Sequence, residues 1–323
     1  SCITPLEVTN MSSTNTKALL SRLGPFFGLL LLIIVITAMN PSFLTASNIL
    51  NVLRQVSISA LIAFGMTFVI LTRGIDLSVG STLALTGAVA ATLLASGTDP
   101  ILAMGAALLL GLTLGTINGL IITKGRVAPF IATLATMTIY RGLTLVYTDG
   151  RPVSGLGDSV AFQMMGKGYM LGIPVPVVTT VLAFAALYFI LHHTTFGRRV
   201  YAVGGNEEAS KLSGINIDRI KIGVYAITGL LAAVSALILT SRLNSAQPTA
   251  GESYELDAIA AVVLGGTSLN GGRGWIFGTL VGALIIGVLN NGMNLIGVSS
   301  FFQLVVKGVV ILLAVLLDRK KAA

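Results

Sequence analysis

Apolar residues run through this chain in long blocks, with the polar ones gathered between them. Phe26 to Met39 and Val175 to Leu191 hold no charge at all. The blocks are apolar on every side, so they do not read as surface helices with one apolar stripe or as barrel strands that alternate. A transmembrane helix needs about 20 mostly apolar residues. Only helices and closed barrels satisfy their own backbone in lipid. The pattern therefore predicts an all-α integral membrane protein of about ten spans. They fall at 24–41, 49–71, 76–96, 100–122, 128–148, 174–192, 222–243, 255–270, 275–296 and 299–317. The eighth is short for a crossing, contains Gly265–Gly266 and runs into Asn270-Gly271-Gly272. That marks a broken or partly inserted helix, tolerated only where protein or a cavity surrounds it.

Basic residues orient the spans. With the N-terminus placed in the cytoplasm, the inside segments carry Lys17, Arg22, Arg73, Lys124, Arg126, Arg198, Arg199, Lys211, Arg219, Lys221, Arg273, Arg319, Lys320 and Lys321. The outside segments carry only Arg151 and Lys167. Positive charge marks cytoplasmic loops, so both termini are expected inside. Arg54, Arg141, Arg242 and Lys307 lie in or near span ends, where they snorkel or pair within the bundle. Residues 1–22 read as one tail, 23–317 as a single membrane domain and 318–323 as a second tail. Residues 1–10 read as an irregular polar leader, with Met11 an alternative start and no signal peptide before the first span.

The chain also repeats itself. Gly115-Thr-Ile-Asn118 matches Gly287-Val-Leu-Asn290, with Gly125 and Gly297 seven residues beyond each Asn and Phe130 and Phe302 twelve beyond. Arg141–Gly142 answers Lys307–Gly308, and Ile75-Asp76-Leu77 loosely echoes Glu255-Leu256-Asp257. Two four-helix units follow, about 49–148 and 222–317, entering the membrane from opposite sides. Inverted repeats of this kind build many transporters, with the path between the halves.

The segment 194–221 is the longest internal hydrophilic stretch on the inside. Asn206 is a fair N-cap, Glu207 and Glu208 suit a first turn, Lys211 follows Glu207 at i+4, and Gly214 stops the helix. Ala209 and Leu212 are its apolar members. A solvated connector needs neither cap nor stop, so a docking element is the favoured reading. The outer segments Asp149–Ile173 and Asn244–Tyr254 show no capped element and carry a weaker suggestion of a partner that delivers solute. Asp76 and Asp257 read as helix-start caps near the interface rather than as working carboxylates. Asn118, Asn290, Asn291 and Asn294 either line a polar path or tie helices together; tying weighs more, and Asn118, Asn290 and Asn294 are kept as path candidates. His192 and His193 end the sixth span without metal partners.

Composition supports this picture and narrows the function. Apolar residues are 54% and charged ones 10%, with a mean hydropathy of +0.91. A soluble domain carries about 25% charged residues. The net charge of +8 belongs to the inside loops, and no basic, aromatic face for nucleic acid exists. Cys2 stands alone, and no nucleophile–base pair, metal cluster or cofactor motif is visible. No G-x-x-x-x-G-K-[ST] loop occurs, since Gly166–Lys167 lacks the hydroxyl residue. No chain of buried Asp, Glu and His offers proton coupling. A transport subunit with no engine of its own, driven by a separate ATPase, is the consequence.

Four segments carry a family resemblance: Gly74-Ile-Asp-Leu-Ser-Val-Gly-Ser81, Gly125-Arg-Val-Ala-Pro-Phe-Ile-Ala-Thr-Leu134, Gly204-Gly-Asn-Glu-Glu-Ala209 running on to Leu212-Ser-Gly-Ile215, and Glu255-Leu-Asp-Ala-Ile-Ala-Ala-Val-Val-Leu-Gly-Gly-Thr-Ser268. Together they resemble the permease subunits of bacterial ABC sugar importers, from about Leu23 to Lys321. Ser245 to Gly251 is similar to the ribose branch. The resemblance implies a homodimer in the inner membrane, an ABC ATP-binding subunit on the cytoplasmic side and a periplasmic sugar-binding protein above. It also implies that Gly204, Gly205, Asn206, Glu207, Glu208, Ala209, Leu212 and Gly214 form the coupling element that docks in the ATPase. Ribose or a related pentose would cross by alternating access. The rival reading is an ion-coupled secondary sugar carrier that works without an ATPase.

Overall fold

The computed structural model describes residues 5–322, and thirteen α-helices account for most of them. In chain order they are α1 (Pro5–Met39), α2 (Ala46–Leu71), α3 (Val79–Ala95), α4 (Pro100–Thr123), α5 (Pro129–Thr148), α6 (Val160–Lys167) and α7 (Val175–His193). Then come α8 (Thr195–Gly205), α9 (Glu207–Leu212), α10 (Ile217–Leu243), α11 (Tyr254–Leu264), α12 (Ile276–Leu295) and α13 (Ser300–Ala322). A two-residue hairpin, β1 (Tyr169–Met170) with β2 (Ile173–Pro174), leads into α7.

Among the described residues eight helices are long and apolar enough to cross a membrane. α3, with 17 residues, and α11, with 11, fall short. At about 1.5 Å per residue α11 reaches only about half of a ~30 Å hydrocarbon core. The apolar segments thus sit where the pattern places them, while length alone supports eight crossings rather than ten. Both short helices follow buried irregular backbone. Asp76 and Ser78 precede α3 with almost no exposure, and Ala246, Pro248 and Gly251 precede α11 in the same condition. Irregular backbone at such depth survives because protein covers it.

α2 and α10 form the centre. α10 packs along α4 and α3, and α2 packs along α12 and α11. Glycine permits the closest of these approaches. A Cβ at Gly111 would stand 2.5 Å from the carbonyl oxygen of Gly229, one at Gly115 2.2 Å from that of Tyr225, and one at Gly119 2.7 Å from the Cα of Ile222. These glycines recur every four residues, on one face of α4, and bring two backbones into contact. α12 meets α11 in the same way, with Gly278 against Gly265 and Gly282 against Ala261. The outer helices α1, α5 and α13 leave large apolar side chains uncovered, among them Leu31, Ile34, Val146, Phe301 and Leu312.

Several expectations change. The leader is helical from Pro5, and the C-terminal tail continues α13 to Ala322. Residues 1–4, Cys2 among them, lie outside the described residues. The loop 149–173 is not featureless. Ser159 caps α6 by accepting from the Phe162 amide, and Ser241 on α10 binds the Phe162 carbonyl at 2.6 Å and the Gly166 amide at 3.0 Å. Asp76 is buried in protein and accepts from the Ser78 amide at 2.9 Å, just before α3. Asp257 is not a cap: Ser253 holds that position, and Asp257 pairs with Lys307 at 3.2 Å.

Candidate coupling face and polar cavity

α9 forms as its sequence dictates. Asn206 Oδ1 accepts from the Ala209 amide at 3.0 Å, Glu207 and Glu208 occupy the first turn, and Gly214 reverses the chain at φ +82°. Glu207 pairs with Lys221 at 3.0 Å, not with Lys211 at i+4. A second helix, α8, precedes it, capped by Thr194 and with Val200 and Val203 buried. Of the eight residues assigned to docking, Gly205, Asn206, Glu207, Glu208, Ala209, Leu212 and Gly214 are exposed. Leu212 is 89% exposed, an apolar side chain that nothing in the subunit covers. Gly204 is different. A Cβ there would lie 1.6 Å from the Leu71 carbonyl oxygen, so it is a packing position inside the subunit.

Arg73, just past the end of α2, holds the last residues of α8, directly before α9. Its Nε donates to the Gly204 carbonyl at 2.7 Å and its Nη2 to the Gly205 carbonyl at 2.9 Å. The Gly272 amide donates to the Leu71 carbonyl at 2.9 Å, which brings the turn before α12 to the same point. Lys124 at the end of α4 pairs with Asp218 at the start of α10 at 2.9 Å. The end of α8 thus contacts the end of α2 beside the turn before α12, and α9 itself reaches α10 through Glu207 and Lys221.

The Asn residues part company. Asn118 is buried: its Nδ2 donates to Ser78 Oγ at 2.8 Å, and Ser78 Oγ in turn donates to Asp76 Oδ1 at 2.6 Å. Tyr140 reaches the same place from α5, donating to the Leu114 carbonyl at 2.9 Å. This network ties α3, α4 and α5 around the buried segment. Asn291 exchanges hydrogen bonds with Asn48 at 2.9 and 3.0 Å. Asn290 is half-buried, with no partner for Oδ1 among the described residues. Asn294 is exposed and accepts from Gln303 at 2.8 Å.

A cavity with charged groups on a largely apolar wall lies elsewhere, between α3, α5 and the start of α11. It measures about 560 Å³ and is lined by Ser81, Met137, Thr138, Arg141, Glu252 and Glu255, with none of the three Asn path candidates on its wall. Arg141 donates to the Pro248 carbonyl at 2.9 Å and the Ala250 carbonyl at 2.7 Å, holding the buried segment before α11. One cation and two carboxylates thus share a cavity wall beside an otherwise apolar helix. Arg141 is legible as a charge in a span and Glu255 as the first residue of the eighth; Glu252 reads only as loop polarity. Among the described residues no His, Cys, Asp and Glu cluster could hold a metal.

Residues 48–315 match the family described as "Branched-chain amino acid transport system / permease component". The chain is 65% identical over 315 residues to the ribose import permease protein of Bacillus subtilis (strain 168), which covers 98% of both chains. It is 55% identical over 308 residues to the ribose import permease protein of Escherichia coli (strain K12), covering 95% of this chain and 96% of the other. The D-allose transport system permease protein of the same strain is 40% identical over 315 residues, covering 97% of this chain and 96% of its own. No solved structure matches the chain.

Proposed function

The chain belongs to the family of branched-chain amino acid transport system permease components, and from that premise we propose that it is the membrane-spanning subunit of an ATP-driven ribose importer. The observation that carries this is the identity with ribose import permeases along nearly the whole of both chains. The xylose permease of Escherichia coli, at 38%, stands well behind. Ribose is the cargo and ATP hydrolysis belongs to a separate subunit.

Several finer points belong to this reading. α9 faces the cytoplasm and inserts in the ATP-binding subunit, with Leu212 as its apolar contact and Glu207 and Glu208 as its charged rim. A capped helix with one uncovered leucine, entered from the end of α8 that Arg73 holds, supports this. The eight docking positions reduce to seven, with Gly204 holding α8 against α2. Two copies pair in the inner membrane with a sugar-binding protein above them; the uncovered apolar faces of α5 and α13 favour a second copy or lipid as cover.

The inverted repeat relates α2–α5 to α10–α13. Its support is that α10 packs on α4 and α3 as α2 packs on α12 and α11, and that both short helices follow buried irregular backbone. The sugar path runs past the cavity of Arg141, Glu252 and Glu255, where hydroxyl groups find both donors and acceptors. Asn290 and Asn294 on α12 remain path positions; Asn118 serves as a helix tie.

Reconstitution tests the reading. Vesicles holding the chain, its ATP-binding subunit and the sugar-binding protein are expected to take up labelled ribose only with ATP. Uptake by the chain alone down an ion gradient would overturn it.

A further inference from the structure

Two adjoining cavities, one of them bordering the coupling face at Gly272, lie apart from the sugar path. One, of about 670 Å³, is lined by Arg22, Tyr188, His192, Tyr201, Arg273 and Trp275. The other, of about 210 Å³, shares Arg22 and Trp275 and continues along Leu23, Phe26, Phe277 and Val281. The first falls within the roughly 300–1,000 Å³ of small-ligand sites. Its chemistry is one-sided. No Asp or Glu lines either cavity, and neither Arg22 nor Arg273 has an ion pair among the described residues.

Neighbours hold Trp275, Tyr201 and His192 in the wall, while Arg22 and Arg273 are exposed. The Arg22 guanidinium lies 5.4 Å from the centre of the Trp275 ring, a cation–π contact. Tyr201 donates to the Gly274 carbonyl at 2.6 Å, and burial pushes its phenol up to about 12, against the pull of Arg22. His192 packs on Tyr188 at 4.6 Å, and its Nε2 is buried without a partner among the described residues. An unpaired imidazole nitrogen and two guanidinium groups without a carboxylate thus border one polar space.

Depth in the membrane identifies the ligand. Arg22 is the last charge before the apolar run of α1, and His192 ends the apolar run of α7. Tryptophan favours the boundary between headgroup and hydrocarbon. The larger cavity is therefore at headgroup depth, and the smaller one leads along Phe26 and Phe277 toward the hydrocarbon. We propose that the double cavity binds one anionic phospholipid of the leaflet on the α9 side, with its phosphate between Arg22 and Arg273 and an acyl chain against Phe26 and Phe277. Basic pockets between transmembrane helices select such headgroups. A zwitterionic lipid would bring its own cation against two arginines. A soluble phosphate would leave the apolar slot empty. The turn bearing Arg273 also carries Gly272, bonded to Leu71 beside the base of α9, so an occupant braces the coupling face. The proposal is independent of which solute is carried.

Trp275 is the only tryptophan of the chain and lines both cavities, so its fluorescence reads the site directly. The full chain is reconstituted in phosphatidylcholine with increasing brominated phosphatidylglycerol, or with brominated phosphatidylcholine as reference. Half-maximal quenching is expected at about tenfold lower mole fraction for phosphatidylglycerol. The R22Q/R273Q variant loses this preference, R22K/R273K keeps it, and K124Q/R126Q, altered on the same face outside the cavity, keeps it. Because each variant is compared between two lipids, a changed baseline cancels. Equal quenching by both lipids in the unaltered chain overturns the proposal, as does a preference that survives R22Q/R273Q. Reversal by millimolar glycerol phosphate assigns the polar cavity to a soluble anion and overturns it too.

Discussion

Arg73 and Gly204 are 131 residues apart in the chain and joined by a 2.7 Å hydrogen bond from Nε to the carbonyl. A second bond to Gly205 makes the contact a two-point clamp between the turn after α2 and the end of α8, directly before α9. Hydrogen bonds to charged groups contribute about 1.5–3 kcal/mol each. Arg73→Ala is therefore expected to loosen transmission while leaving the bundle folded. In reconstituted importer, ribose uptake should fall at least about tenfold while the ATP-binding subunit still copurifies. Uptake within twofold of the unaltered protein would remove Arg73 from the coupling route.

Docking is tested on the exposed face of α9. Glu207→Ala with Glu208→Ala, or Leu212→Ser alone, alters groups that pack little within the subunit, although Glu207 gives up its Lys221 partner. Lys221 is half-buried and its partner Glu207 lines a polar cleft, so the loss is expected to be small beside the loss of docking. The expected result is an unchanged thermal midpoint for the isolated permease and loss of the ATP-binding subunit on affinity purification. Full copurification with normal uptake would place the docking surface elsewhere.

The glycine ladder of α4 yields a prediction about stability. At Gly115 a methyl group would press on the Tyr225 carbonyl oxygen, whereas at Gly142 on α5 nothing lies within 4 Å. Overpacking costs about 1–3 kcal/mol, while Gly to Ala in an open helix position favours the helix by up to about 1 kcal/mol. Gly115→Ala should lower the thermal midpoint and Gly142→Ala should hold or raise it. Equal shifts would mean that α4 and α10 do not meet through backbone.

Much of this is readable in the sequence, and the misses have physical causes. Spans α2, α4, α5, α7 and α12 lie within a few residues of the apolar blocks, because lipid demands length and continuity. α9 is readable because Asn206 and Gly214 act locally. α8 is not, because Gly197, Gly204 and Gly205 suggest a loop; Phe196, Val200 and Val203 at i, i+4 and i+7 are its signal. α6 escapes for a related reason, its cap Ser159 standing after a Gly-rich stretch. The Gly111, Gly115 and Gly119 spacing is in plain view and marks a helix contact face. The choice of Lys221 over Lys211 as partner of Glu207 is not readable, since it depends on how α9 folds back on α10. The polar cavity joins residues more than a hundred positions apart, and only tertiary structure assembles it.

Lys307 and Asp257 form an ion pair whose side chains are only 23% and 13% exposed. It joins α13, which has few other contacts, to α11. Removing one partner strands a charge and costs about 3–5 kcal/mol, whereas replacing both with apolar groups is often neutral. Lys307→Met and Asp257→Leu should each destabilise the detergent-solubilised protein, and the double variant should recover most of the loss. Additive losses would show that the two groups act separately.

Arg141 supplies the last test, because two roles meet in it. Its bonds to the Pro248 and Ala250 carbonyls hold the buried segment before α11, and its charge faces the cavity with Glu252 and Glu255. Arg141→Lys keeps the charge but loses the forked donor geometry. Glu252→Gln leaves the bonds to Pro248 and Ala250 in place and changes only the cavity wall. If the cavity contacts sugar, Glu252→Gln should raise the ribose concentration for half-maximal uptake several-fold with little change in thermal midpoint. Arg141→Lys should lower both maximal uptake and stability, since it also frees the segment. If Glu252→Gln leaves the concentration dependence untouched while Arg141→Lys only destabilises, the cavity is a structural pocket and the path runs along α12 past Asn290.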